Sequence, residues 1–195
     1  MHFLHPITLK GHYATLEPLT LEHHDALIAA VSDGKLWKLW YTSVPKPENM
    51  EAEIRRRLDV QAAGGMQAFV VRRVDTGALC GMTNFMHVDE VNRRVEIGAT
   101  WYATSAQRTG INTECKLMLL SHAFENMNCI AVEFRTHWVN QQSRAAIARL
   151  GAKQDGILRN HQRLPDGSLR DTVVFSIIDS EWPTIKRHLH FKLGR

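Results

Sequence analysis

Gln107-Arg108-Thr109-Gly110-Ile111-Asn112-Thr113 lies between a strand-like segment ending in Trp101-Tyr102 and a segment whose apolar residues recur at helical spacing. A strand, a short polar loop with a glycine, and a helix start together make an anion site. The first backbone N–H groups of a helix have no partner inside it, and the helix dipole favours negative charge there. The residue types agree with that use. Gly110 lets the backbone come close to a ligand, Asn112 and Thr113 are small and polar, Arg108 adds positive charge, and no carboxylate appears before Glu114. The stretch predicts a phosphate-bearing cofactor.

Downstream, a helix is expected from about Gly110 to Asn126, with Ile111, Cys115, Met118, Leu119 and Ala123 as its buried stripe. Ile130 to Trp138 alternates as a strand, so the unit is strand–helix–strand, with a right-handed crossover and parallel pairing. Asn140 caps a short helix ending at Leu150, and Gly151 stops it. Two last strands, about Ala152–Gln162 and Ser168–Ile178, flank the turn Leu164-Pro165-Asp166-Gly167.

Upstream, His12 to Glu17 reads as a strand, and Thr20 caps a helix running to about Ser32, where Asp33-Gly34 ends it. Glu48 to Ala63 reads as a second helix, with Ile54, Leu58 and Ala62 on its inner face. Strands follow at Ala68–Arg73, Leu79–Val88 and Arg94–Tyr102. In the last of these Val95, Ile97, Ala99 and Trp101 are expected on one face, and Glu96, Gly98, Thr100 and Tyr102 on the other. The order is strand, two helices, three antiparallel strands, helix, strand, helix, hairpin.

The chain has 195 residues, 44% of them hydrophobic and 23% charged, which fits one soluble domain spanning 1–195. No apolar run approaches the roughly 20 residues that span a bilayer, and Met1-His2-Phe3-Leu4-His5-Pro6 lacks the pattern of a secretory signal. Cys80, Cys115 and Cys129 fit neither a disulfide framework nor a zinc site, and read as buried thiols of a cytoplasmic protein. A net charge of +4 is mild, and the basic residues are scattered, so no stripe for nucleic acid forms. Arg55-Arg56-Arg57, on the second helix, reads as a solvated face.

This order, with the loop where it stands, resembles the GCN5-related N-acetyltransferase (GNAT) superfamily, and within it the RimJ/RimL-type branch. The resemblance rests on Val95-Glu96-Ile97-Gly98, Gln107 to Glu114, Asn140-Gln141-Gln142-Ser143-Arg144-Ala145-Ala146 and Leu150-Gly151-Ala152. The family's loop pattern is Gln/Arg-x-x-Gly-x-Gly/Ala, and Asn112 stands where the second small residue is expected. Asparagine tolerates tight or left-handed backbone better than most residues. The resemblance implies an α+β fold: a mixed, twisted sheet of about seven strands, splayed between the fourth and fifth, flanked by about four helices. It also implies acetyl-CoA as co-substrate, an amine acceptor, and no metal. The cofactor would be held by Trp101, Tyr102, Gln107, Arg108, Thr109, Gly110, Asn112, Thr113, Asn140 and Ser143. Its pantetheine arm would lie in the splay beside Gly98, which on residue grounds alone marks a bulge. Family members are often dimers, and apolar residues of the final hairpin or tail would serve that contact.

Acetyl transfer to an amine needs a neutral amine, a donor for the oxyanion and a proton for the leaving thiolate. Ser143, one helical turn from Asn140, is the candidate acid, with a solvent-facing serine as the alternative. Glu96 is the candidate base, with an ion pair to Arg94 or Arg135 as the alternative, and Glu133 is the runner-up on the acceptor side. Trp37, Trp40 and Tyr41 fall where the resemblance puts the acceptor entrance, although core packing of the two helices would also use them. His137, without a visible partner, reads as structural, and the pairs His23-His24 and His188/His190 lack a metal-ligand set. A CoA-binding module without turnover is the competing reading.

Overall fold

The computed structural model describes residues 3–195, so Met1 and His2 of the N-terminal stretch lie outside it. One sheet runs through the molecule. Its strands are β1 (Leu9–Lys10), β2 (Ala14–Pro18), β3 (Met66–Arg73), β4 (Leu79–Asp89), β5 (Arg94–Tyr102), β6 (Ala131–His137), β7 (Lys153–Arg163) and β8 (Leu169–Ile178). Their order in the sheet is β1-β2-β3-β4-β5-β6-β8-β7. Only β5 and β6 pair in parallel, and only through Arg94↔Ala131, Val95↔Val132 and Glu96↔Glu133. Beyond Glu96 the two strands part. β5 stays with β4 as far as Tyr102, and β6 stays with β8 as far as His137. This is the expected splay.

The helices are α1 (His24–Ser32), α2 (Met50–Ala62), α3 (Ile111–Ser121, continued by a π-helical turn over His122–Asn126), α4 (Gln141–Arg149) and α5 (Trp182–Lys192). Helices α1 and α2 cover one face of the sheet, where Leu27, Val31, Met50 and Ile54 meet Val70, Met82 and Trp101. On the other face Cys115, Leu119, Ile147, Ile185 and Leu189 of α3, α4 and α5 pack on Val95, Ile97, Val132, Phe134 and Phe175. The cysteines are all free and buried, and burial pushes the Cys115 thiol up to about 12. No helix among the described residues is long and apolar enough to cross a membrane.

The sequence reading is short by one strand and one helix. Leu9–Lys10 adds a strand at the sheet edge, giving eight in place of about seven. Helix α5, read as tail, makes five in place of about four; Pro183 opens it, and Trp182, Ile185 and Leu189 bury its inner side. Two details of α2 also differ. Ala62 is exposed, and Arg57, one turn from Ile54, points inward and is 1% exposed. The expected single alternation of β5 fails as well. A bulge at Ala99, with φ of +47°, shifts the register between Met82 and Asn84. The extra residue flips the faces, so Tyr102 joins the Val95–Ile97 core and Trp101 packs beneath α1 and α2.

The start of α3 is tied to the N-terminal strands by one carboxylate. The side chain of Glu114 is fully buried and accepts from the backbone N–H groups of His12 (2.8 Å), Tyr13 (2.6 Å) and Ala14 (2.9 Å) and from Arg195 (2.5 Å). Burial alone would raise its pKa, but these donors outweigh it and hold the group below the usual carboxylate value. Its stabilisation is therefore present above the unfolded pKa and is lost as pH falls through the lower folded value. Glu114→Gln is expected to destabilise the fold by about 3 kcal/mol at pH 7, because it leaves three N–H groups and a guanidinium facing a neutral amide. Urea unfolding at pH 7 and pH 4 tests this, and the gap between variant and parent should narrow at the lower pH.

Candidate functional site

The splay opens a cavity of about 850 Å3 through the middle of the sheet. That lies within the roughly 300–1,000 Å3 of small-molecule sites. One wall is β5 from Glu96 to Tyr102, the opposite wall is β6 from Phe134 to His137 with the first turns of α4, and the loop before α3 closes one end.

At the α3 end the backbone is arranged for an anion. The hydroxyl of Thr109 bonds the Ala106 carbonyl at 2.7 Å and takes the Ile111 N–H at 3.3 Å. The N–H groups of Asn112 and Thr113 find no acceptor among the described residues. Gln107, Arg108, Thr109 and Asn112 line the cavity, as do Trp101 and Tyr102. Gly110 and Thr113 do not: Thr113 is turned into the protein, and a Cβ on Gly110 would stand 2.9 Å from the ring of Tyr13. Packing on the Tyr13 ring therefore favours glycine at 110. The left-handed residue of the loop is Arg108, with φ of +59°, whereas Asn112 lies inside α3. Asparagine is therefore accommodated at 112 in ordinary helical backbone, and its tolerance of tight conformations is not what matters there.

Asn140 caps α4 by accepting the Ser143 N–H at 3.0 Å, and both residues line the cavity. The Ser143 hydroxyl makes no hydrogen bond among the described residues. Arg108 and Arg149, also lining, form no ion pair among them. Where β5 and β6 part, Glu96 and Glu133 face each other in register. Glu96 is 5% exposed, meets His87 Nδ1 at 2.7 Å and lies 3.5 Å from Arg135 Nε. Glu133 bonds Arg94 at 2.5 Å and Arg135 at 2.8 Å; burial would raise its pKa, but the two guanidinium groups hold it below the usual value. The Glu96 carboxylate in turn raises the His87 pKa. Glu96 lines the cavity and Glu133 does not.

Of the aromatic trio, Tyr41 lines the cavity and Trp37 packs beside the α1–α2 core. Trp40, 59% exposed, sets its ring edge-on to His137 at 5.3 Å between centroids. His137 is 5% exposed, and its Nδ1 accepts the Val139 N–H at 3.2 Å.

Two buried cavity cations escaped the sequence reading. The guanidinium of Arg57 donates to Glu53 (2.7 Å), to Asn84 Oδ1 (2.9 Å) and to the Ala99 carbonyl (3.4 Å) at the bulge. Its spacing from Ile54, three residues on, was the available signal. Lys116, 6% exposed, reaches Thr100 Oγ1 (2.9 Å) and Thr83 Oγ1 (3.2 Å) and has no carboxylate partner among the described residues. It sits on a helix buried nearly all round, so no polar stripe marks it.

Comparison with known proteins places this geometry. Residues 14–153 match the family model described as an acetyltransferase (GNAT) domain. The chain belongs to that family. It is 34% identical over 106 residues to the "Putative ribosomal N-acetyltransferase YdaF" of Bacillus subtilis (strain 168), a match covering 54% of this chain and 57% of that protein. It thus spans little more than half the length of that curated relative. A crystal structure of a GCN5-related N-acetyltransferase from Brucella melitensis superposes with a TM-score of 0.86 at 29% identity, covering 96% of this chain and 85% of the other. Mycobacterium smegmatis RimJ in complex with CoA-disulfide shares the fold, with a TM-score of 0.81 at 22% identity over 97% and 96% of the two chains.

Burial lowers the Lys116 pKa to about 8, whereas an unfolded lysine titrates near about 10.4. Between those values the unfolded chain binds more protons, so stability rises with pH from about 8 to about 10.4. Lys116→Met is expected to raise stability by about 2–3 kcal/mol at pH 7. Thr83 and Thr100 stay satisfied, since their hydroxyls bond each other at 2.8 Å. Urea unfolding of the ligand-free protein at pH 7 and pH 10 checks the sign, and the gain should shrink at pH 10.

Proposed function

We propose that this member of the GNAT family is an acetyl-CoA-dependent N-acetyltransferase in which residues 1–195 act as one catalytic domain. It would transfer the acetyl group to a primary amine, a protein N-terminus or a small amine, by direct attack in a ternary complex. The observation that carries this reading is the shared cavity. The α3 start, with the unpaired N–H of Asn112, and the edges of the splayed β5 and β6 open onto the same space. A ligand with an anionic end and a long amide-bearing arm suits both features. The pyrophosphate would take the N–H groups of the α3 start, with Arg108 and Arg149 supplying charge, and the arm would bond the open strand edge as an added strand does. The RimJ relative, solved with CoA-disulfide, supports that assignment. The YdaF relative, named a putative ribosomal N-acetyltransferase, supports a protein amine as acceptor.

In this reading the amine nitrogen attacks the thioester carbonyl, a C–N bond forms and the C–S bond breaks. The amine loses one proton and the thiolate gains one. Ser143 is the acid: Asn140 fixes the start of its helix, and the residue lines the cavity. Glu96 is the base, acting through water, since His87 and Arg135 already occupy its carboxylate. Trp101 and Tyr102 form the wall beside the arm, and Gln107, Thr109, Asn112 and Thr113 serve the phosphate end. Tyr41, Trp40 and the Glu133 pair border the acceptor, with Trp37 behind them.

Thiol release from acetyl-CoA across a panel of N-terminal peptides and small amines is the direct test. Amine-dependent release is expected, while tight CoA binding with no release across the panel would establish a binding module instead. Ser143→Ala should lower kcat about 100-fold with CoA affinity within about twofold of the parent. Arg108→Glu should weaken CoA binding about tenfold. Calorimetry with CoA and steady-state kinetics separate the two effects, and an unchanged CoA affinity in Arg108→Glu would displace the pyrophosphate from this loop.

A further inference from the structure

Beyond the splay, one face of the sheet has no helix on it. No residue of β6, β7 or β8 enters the core beneath α1 and α2. On that bare face the register sets His137 of β6 opposite Thr172 of β8, with Arg170 two residues further along β8. Arg170, Thr172, His161 and His137 all line the cavity. Thr172 organises them, since its hydroxyl meets Arg170 Nε at 3.0 Å and His161 Nδ1 at 3.1 Å.

Two features of this cluster are unsatisfied. Arg170 is half-buried, yet forms no ion pair among the described residues. Burial lowers its pKa and the Glu96 carboxylate opposes this through space without touching it; burial, and after it the charge of Arg170, disfavours protonation of His137. The second feature is His137 Nε2, a buried polar atom with no partner among the described residues. Because Nδ1 accepts the Val139 N–H, Nε2 carries the proton of the neutral ring and is a donor with nothing to receive it. Buried donors of this kind are rare in folded proteins. A guanidinium fork and an imidazole N–H lining one cavity, on residues paired with or two along from Thr172, suit the two oxygens of a carboxylate.

We propose that the acceptor amine carries a carboxylate of its own, which docks on Arg170 and His137 while its amino nitrogen lies toward Glu96. The inference rests on the acetyltransferase reading and names the acceptor class for it: an aminocarboxylate, either a free amino acid or a peptide N-terminus with an acidic side chain close behind. An acceptor whose second group is cationic, such as a polyamine, would set that charge against Arg170 and is disfavoured.

The test uses matched acceptors that differ only in the carboxylate. In one arm free amino acids are compared with their carboxamides. In the other, C-terminally amidated peptides with Asp or Glu at the second position are compared with their Asn or Gln counterparts. Thiol release and calorimetric binding to the CoA-loaded protein are measured together. The carboxylate member of at least one arm should show kcat/KM about tenfold higher, and the arm that does so identifies the source. Arg170→Gln should abolish that preference by raising KM with kcat little changed, Arg170→Lys should restore part of it, and CoA affinity should be unaltered in both. Turnover that ignores the carboxylate in both arms, or a preference unchanged in Arg170→Gln, overturns the docking site and leaves the transferase standing. Carboxylate-selective binding lost in Arg170→Gln, without thiol release, overturns the transferase and keeps the docking site. Neither selective binding nor selective turnover overturns the inference.

Discussion

The molecule is organised by the short run of parallel pairing between β5 and β6. Three residue pairs join the strands, and then each follows its antiparallel neighbour. Backbone polar groups inside a protein have to be paired with something, so a gap in the middle of a sheet needs support. Part of that support is the bulge at Ala99. The Asn84 amide donates to the Gly98 carbonyl at 3.0 Å, and Arg57 reaches the Ala99 carbonyl. Those carbonyls would otherwise be left without ladder partners where the register shifts. Arg57 is itself tenable because Glu53, one turn earlier on α2, supplies the countercharge. A buried ion pair on a helix thereby holds the strand irregularity that forms the cavity wall.

The end of the cavity depends on a different carboxylate. A helix start that is to receive an anion cannot have an acid facing the same way, because it would occupy the very N–H groups the ligand needs. Glu114 is in the first turn of α3 but is drawn to the opposite side, where three N–H groups of the entry to β2 and the C-terminal Arg195 hold it. The ring of Tyr13 lies against Gly110 and fixes the same junction from outside. The first turn of α3 is thus divided: its acid secures the N-terminal strands, and the amides of Asn112 and Thr113 remain open.

Much of this was legible in the sequence, and what was hidden has a common cause. Turn and cap signals act locally, so Asn140 at the start of α4, Gly151 at its end and Gly167 in the last hairpin stand where the residue types put them. The splay was readable only through family resemblance, because residues 94–102 alternate in sequence as though the strand were regular. Gly98 marks a bulge on residue grounds and the bulge lies beside it at Ala99, but its consequence for the faces of Trp101 and Tyr102 does not show in that alternation. Arg57 and Lys116 look like surface charge, since what keeps them inside lies on other elements: Asn84 and Ala99 for one, Thr83 and Thr100 for the other. Helix α5 was concealed by its composition. Its apolar stripe of Trp182, Ile185 and Leu189 is interleaved with Lys186, Arg187, His188 and His190, and reads as a basic tail until the core beneath it is seen.

The two ends of the cavity show why the donor is easier to read than the acceptor. At the α3 end the proposed recognition groups are backbone amides, and many side chains would leave them in place; a loop of small polar residues and a helix start would suffice. At the other end the proposed recognition is entirely by side chains, drawn from three strands and one loop: Glu96, Arg135, His137, Arg170, Thr172 and Tyr41. Those six positions are spread over more than 130 residues of chain and share no local pattern, so only the strand register brings them together. The charges are also unequal across this end. Arg135 is matched by Glu96 and Glu133, whereas Arg170 is matched by none within contact distance. A half-buried guanidinium left in that state lowers the stability of the free protein unless water or a ligand completes it. Its persistence beside an unfilled imidazole donor is most economically explained by an acceptor that brings the missing negative charge with it.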